Sequence, residues 1–170
     1  MSSEIDVGKI LRKKKLTLAI AESCTGGLIS DRITNVAGSS AYFLCGVVAY
    51  SNGIKENLLG VSFRHCERPK GAKPACPAGR QSQKCDAVSK DVAIEMARGV
   101  RLLAGTDIGI GVTGIAGPGG GTRSKPVGLV YIALVMDKKQ VVKKFRFKGS
   151  RQNVKFQASE AALDLICEHS

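Results

Sequence analysis

The chain has 170 residues, enough for one domain with an ordinary core and too few for two. Its net charge of +12 raises nucleic acid or another polyanion as a partner, but the cations fall in three separate clusters and aromatics make up 5%, with none in a base-stacking pattern. No apolar run approaches a membrane span and no apolar signal-like segment opens the sequence, so a cytoplasmic protein without membrane or nucleic-acid partners is expected. The six cysteines are too scattered for a disulfide scaffold, and reduced thiols are expected.

Residues 5–15 carry Val7, Ile10 and Leu11 on helical spacing and end in Arg12-Lys13-Lys14-Lys15, which suits the negative end of a helix dipole. The apolar run 16–20 then reads as a buried strand, and Leu28, Ile29, Ile33 and Val36 as a helix. Between them lies Ala21-Glu22-Ser23-Cys24-Thr25-Gly26-Gly27. In α/β proteins ligands bind outside the carboxyl ends of strands, so Ser23 on such a turn is a candidate nucleophile, with Gly26 and Gly27 permitting close approach to the backbone. The bland alternative is that Ser23 and Thr25 merely cap the helix.

A second strand is expected over 42–50, followed by Ser51-Asn52-Gly53 and a helical turn with Ile54, Lys55, Leu58 and Leu59 that Gly60 closes. Residues 62–86 break the pattern. Between Phe63 and Asp86 there are six Lys/Arg, three prolines, three cysteines and no aliphatic residue larger than alanine, a composition that reads as an exposed insertion dispensable for folding. His65, Cys66, Cys76 and Cys85 suggest zinc, but the thiols are separated by ten and nine residues rather than the usual two to four, and no metal is expected.

Ser89 is placed to cap a helix bearing Val92, Ala93, Met96, Val100 and Leu103, which Gly105 ends. A third strand over 108–113 runs into Gly114-Ile115-Ala116-Gly117-Pro118-Gly119-Gly120-Gly121-Thr122, which is neither a P-loop nor a dinucleotide fingerprint but suits a ligand-wrapping loop, with Thr113 at its lip. Residues 129–135 and 141–148 form a hairpin around Asp137-Lys138-Lys139-Gln140, and Gly149-Ser150-Arg151 starts a last helix whose buried stripe is Val154, Ala158, Ala161, Ala162, Leu165 and Ile166. The expected fold class is α/β, a three-layer α/β/α sandwich around a mixed sheet of about five strands, in one domain over 1–170.

With these motifs assembled, the chain resembles the C-terminal domain of the CinA competence/damage-inducible family, which also occurs as a stand-alone nicotinamide-nucleotide amidase. The resemblance rests on residues 21–27, on Val48-Ala49-Tyr50-Ser51-Asn52 with Lys55, on Val112-Thr113-Gly114-Ile115-Ala116-Gly117-Pro118 with Gly120-Gly121-Thr122, on Lys125-Pro126-Val127-Gly128 and on the start of the last helix. It covers nearly the whole chain apart from 62–86, where family members usually have a shorter, more acidic and more helical segment. The larger N-terminal domain that often precedes the family domain, associated with pyrophosphatase activity, has no counterpart in this sequence.

The resemblance implies metal-free hydrolysis of the carboxamide of nicotinamide mononucleotide to nicotinic acid mononucleotide and ammonia, with no cofactor. It makes Ser23 the nucleophile, Lys55 its base with Lys125 in reserve, and Tyr50 and Thr113 polar partners at the reacting centre. Cys24, Thr25, Gly26, Gly27, Asn52, Gly114, Gly117, Gly120, Gly121, Lys125 and Arg151 are the substrate-binding positions, Arg151 as a phosphate contact. The amides of residues 24–27 are the candidate oxyanion donors. The histidines, His65 and His169, lie in the 62–86 stretch and at the C-terminus, where neither suits a triad. A nucleotide substrate and a second copy of the chain, as a dimer, are the expected partners. The competing function is a catalytically silent nucleotide-binding or interaction domain.

Overall fold

The computed structural model describes residues 3–63 and 87–170. The expectations for 64–86, zinc and the insertion included, lie outside the described residues. In chain order the elements are α1 (Glu4–Lys14), β1 (Leu18–Glu22), α2 (Leu28–Thr34), a short 3-10 turn (Ser39–Ala41), β2 (Phe43–Val48), α3 (Asn52–Leu59), α4 (Lys90–Ala104), β3 (Ile108–Gly114), β4 (Leu129–Val135), β5 (Gln140–Arg146) and α5 (Arg151–His169). The sheet order is β2-β1-β3-β4-β5. Strand β1 pairs in parallel with β2 and β3, whereas β4 pairs antiparallel with both β3 and β5, so the sheet is mixed as expected.

Side-chain alternation along the strands divides the core. Leu18, Ile20, Ile108, Ile110, Val112, Val130, Ile132 and Leu134 face α1, α2 and α5. Ala19 and Ala21 face α3 and α4, packing with Leu59, Val92, Met96 and Val100, while Ala133 and Val135 meet Ala93 and Ala97 of α4. The second face is lined by small residues because α4 lies unusually close to it. An ideal Cβ built on Gly109 or Gly111 of β3 would come within 2.1 Å of the carbonyl oxygens of Ala97 and Ala93 respectively, so any side chain there would displace the helix.

The chain moves from β1 outward to β2 and then back across β1 to β3. The carboxyl ends of β1 and β3 therefore flank a topological switch point, where crossovers on opposite faces leave a crevice. Ser89 caps α4 as expected, accepting from the Val92 amide, and Gly60 and Gly105 close their helices with positive φ; Ser51 and Ser150 likewise cap α3 and α5, accepting from the amides of Ile54 and Asn153. Among the described residues no helix is long and apolar enough to cross a membrane. Cys24 and Cys45 are free thiols.

Candidate active site

Strand β1 ends at Glu22, but its ladder continues for one more bond: the Ser23 amide donates to the Val112 carbonyl of β3 at 3.0 Å. Alternation then decides the direction of each side chain. Glu22 falls on the same side as Leu18 and Ile20, toward α2, and Ser23 on the side of Ala19 and Ala21, toward α3 and α4. Thr113 shares that second side at the end of β3, and α3 presents Lys55 there.

The result is a cavity of about 430 Å³ lined by Ser23, Cys24, Tyr50, Asn52, Lys55, Ala87, Val88, Thr113, Gly114, Ile115, Ala116, Gly117, Gly119, Gly120, Thr122, Lys125 and Arg151. That volume suits a small-molecule ligand of nucleotide size. The structure thus brings together Ser23, Cys24, Tyr50, Asn52, Lys55, Thr113, Gly114, Gly117, Gly120, Lys125 and Arg151 from the sequence reading. Thr25, Gly26, Gly27 and Gly121 stand outside the lining.

Ser23 does not cap α2. The N-cap position is Gly27, at φ 94°, and no side chain at that position or in the turn bonds the helix. The capping is supplied instead by the carboxylate of Glu22, fully buried, which accepts from the amides of Gly27 (2.9 Å), Ile29 (3.2 Å) and Ser30 (2.8 Å) and from the Ser30 hydroxyl (2.7 Å). The Ser23 hydroxyl is left with no hydrogen bond among the described residues, at the cavity wall. The oxyanion expectation narrows for the same reason. The Gly27 amide is taken by Glu22 and that of Ser23 by Val112; among the described residues the amides of Cys24, Thr25 and Gly26 have no acceptor, and of these three residues Cys24 lines the cavity. The Thr25 hydroxyl is buried without a partner.

Lys55 is 2% exposed and makes no ion pair or hydrogen bond among the described residues. Burial depresses its pKa from the ordinary lysine value, because the ammonium loses water that nothing replaces. Burial also pushes the thiol of Cys24 up to about 12, so this neighbour of Ser23 stays protonated and inert at neutral pH.

The remaining cations are committed to loop geometry. Arg151, first residue of α5, donates to the Gly117 carbonyl and to the Tyr50 hydroxyl, both at 2.6 Å. One guanidinium thereby ties the glycine loop to the segment after β2, with further N–H groups to spare for a ligand. Lys125 donates to the Val88 carbonyl at 2.8 Å, and its pKa is also lowered by burial. The Thr113 hydroxyl donates to the Ala87 carbonyl at 2.6 Å. Thr113 and Lys125 thus both hold the chain just before α4 against the cavity.

Sequence reasoning missed Ala87 and Val88, whose only signal was adjacency to the Ser89 cap, and missed the part played by Glu22. It also missed Lys155, four residues after Arg151 and so on the same helix face, whose ammonium would lie 3.5 Å from a Cβ on Gly26. Among the described residues no group of three or more His, Cys, Asp or Glu side chains could hold a metal.

A family model described as the CinA C-terminal domain matches residues 2–76 and 79–169. The CinA-like protein of Geobacter sulfurreducens is 50% identical over 160 residues, which cover 94% of this chain and 35% of that protein. The chain spans about a third of the length of the curated relatives it matches. Among solved structures, the competence damage-inducible protein A of Klebsiella pneumoniae superposes with a TM-score of 0.82 at 30% identity, over 98% of this chain and 93% of that one. The competence/damage inducible protein CihA of Agrobacterium tumefaciens gives 0.82 at 32% identity, over 97% and 93%. Shared sequence over nearly the full chain and a shared fold around the same sheet place this chain in the CinA C-terminal domain family.

Proposed function

We propose that the chain is an amidohydrolase that deamidates nicotinamide mononucleotide to nicotinic acid mononucleotide and ammonia. One observation carries the reading: an unbonded serine hydroxyl and an unpaired, buried lysine of lowered pKa line the same nucleotide-sized cavity at the switch point of the sheet. A hydroxyl attacks an amide only when a base removes its proton, and a lysine serves when desolvation lets it hold a neutral amine.

In this mechanism neutral Lys55 takes the proton of Ser23 Oγ as Oγ bonds to the carboxamide carbon. The negative charge that develops on the carboxamide oxygen is met by the Cys24 amide at the cavity wall, such a donor being worth roughly 3 kcal/mol of barrier in comparable sites. Lys55 returns the proton to the departing nitrogen, which leaves as ammonia and gives an ester on Ser23. Water, deprotonated by Lys55, then cleaves the ester to the carboxylate and restores the hydroxyl. The glycine loop and the spare donors of Arg151 hold the phosphate and ribose.

The test is ammonia release from nicotinamide mononucleotide by the purified chain, with Ser23→Ala as control. Turnover that the substitution abolishes is expected. Release insensitive to Ser23→Ala would reject the nucleophile, and saturable binding of the mononucleotide with no release would make the domain a binding module.

A further inference from the structure

We propose that Glu22 is a positioning residue for catalysis, the group that keeps both the Ser23 hydroxyl and the oxyanion donors free; the proposal rests on the amidohydrolase reading above. The turn between β1 and α2 contains two side chains, Ser23 and Thr25, of the type that ordinarily caps a helix, and neither does so. A carboxylate from the last residue of β1 does it instead, with all four of its hydrogen bonds to α2 at 2.7–3.2 Å. That substitution has a chemical consequence. Were Ser23 the cap, its oxygen would accept helix amides and its lone pairs would be occupied in the direction of the protein.

The second consequence concerns the donors. Glu22 collects the amides of Gly27, Ile29 and Ser30, and the β-ladder collects that of Ser23. What is left between them is the run Cys24 to Gly26, whose N–H groups have no acceptor among the described residues, on a turn clamped at both ends; of these Cys24 lines the cavity and is the donor placed for the oxyanion. No lysine or arginine forms an ion pair with Glu22 among the described residues, so its side chain is held by three amides and the Ser30 hydroxyl. The glutamate touches neither substrate nor reacting atoms, and it acts through the geometry of the turn.

The test uses the full chain with Glu22→Gln, which keeps shape and one oxygen but turns an NH2 toward the Ser30 amide, where an acceptor is needed. Two readouts are taken on folded protein: steady-state ammonia release from nicotinamide mononucleotide, and the rate at which a fluorophosphonate labels Ser23, followed by intact mass. The expected result is a fall in kcat of about tenfold or more with KM within about twofold, and a parallel fall in labelling, since only transition-state interactions are lost. A folded Glu22→Gln protein with kcat and labelling within about twofold of the parent would overturn the proposal, as would a raised KM at unchanged kcat. If the parent ignores the mononucleotide yet is labelled at Ser23 and the variant is labelled more slowly, the substrate is wrong and the role of Glu22 stands. A parent that is neither turned over nor labelled rejects both. Should Glu22→Gln fail to fold, Ser30→Ala decides, because it removes only the 2.7 Å hydroxyl bond: a kcat lowered about threefold at constant KM supports the proposal, and an unchanged kcat overturns it.

Discussion

The seat of α4 on β3 offers a sharp physical test. An alanine at Gly111 would place its Cβ 2.1 Å from the Ala93 carbonyl oxygen and 2.6 Å from the Ala97 nitrogen, both backbone atoms of a fifteen-residue helix that cannot rotate aside. Ordinary contact begins at about 3.4 Å, so α4 must retreat by more than 1 Å or bend. Retreat loosens Val92, Met96 and Val100 from Ala19 and Ala21, which are buried contacts. Overpacking of this kind typically costs 1–3 kcal/mol, and because the obstacle is backbone the expected value is about 3. For a chain of this size that is a fall in Tm of roughly 6–12 °C. The control is Gly53→Ala. Gly53 lies in α3 with nothing within 4 Å of its ideal Cβ and an ordinary φ, and alanine there should stabilise by up to about 1 kcal/mol. Urea and thermal unfolding followed by circular dichroism measure both. A Gly111→Ala protein within about 0.5 kcal/mol of the parent would refute the idea that glycine alternation in β3 sets the position of α4.

Four further outcomes follow from the site and the core. Lys55→Arg should lose activity by at least about a hundredfold, because a guanidinium stays protonated and cannot serve as base; a near-normal rate would move the role to Lys125. Because burial lowers the Lys55 pKa in the fold, the unfolded chain binds that proton more tightly, so the penalty is full below the folded pKa and fades as pH rises toward the unfolded value of 10.5. Activity that depends on neutral Lys55 should therefore rise with pH through the lowered pKa. Lys55→Met should be more stable than the parent at pH 7, with less gain at pH 10, and a less stable variant at pH 7 by urea midpoint would contradict this. Arg32, 13% exposed, bridges Glu4 at 2.7 Å and Glu160 at 2.5 Å, donates to Ser159 at 2.8 Å and lies over the Phe156 ring, joining α1, α2 and α5. Arg32→Ala should cost about 2 kcal/mol in urea unfolding, and a loss below about 0.5 kcal/mol would show the network to be solvent-screened.

Element order and sheet type were legible because the periodicities are clean: the helices bury most of their expected apolar stripes, Leu103 of α4 being the exception at 50% exposed, and strands β1 to β4 are largely apolar. Edges were less so. The first strand reads as 16–20 by hydropathy, yet the strand is Leu18–Glu22. At its start Thr17 is held by the Asp107 side chain at 2.8 Å through its amide and 2.7 Å through its hydroxyl, a contact across 90 residues. The second strand reads as 42–50 and spans Phe43–Val48, since Tyr42 is the C-cap of the 3-10 turn and packs its ring against Gly8 of α1. Hydropathy cannot register either contact, because each depends on which distant segment arrives.

Glu22 shows why the site was only half legible. By composition a glutamate ends an apolar strand, and the sequence reading accordingly gave it no role and set Ser23 against a capping alternative. Both errors have one source. Whether a buried carboxylate is tolerated depends on donors that exist only once α2 has formed, and those helix amides are taken by Glu22 rather than by Ser23. Local propensity treats the two residues as independent candidates for one job, whereas the pleat of β1 sends them to opposite faces and so separates capping from chemistry. The same pleat delivers Thr113 of the neighbouring strand to the side of Ser23 and Lys55. A reading that extended the strand alternation one residue past the last aliphatic would have placed Glu22 toward α2 and Ser23 toward α3.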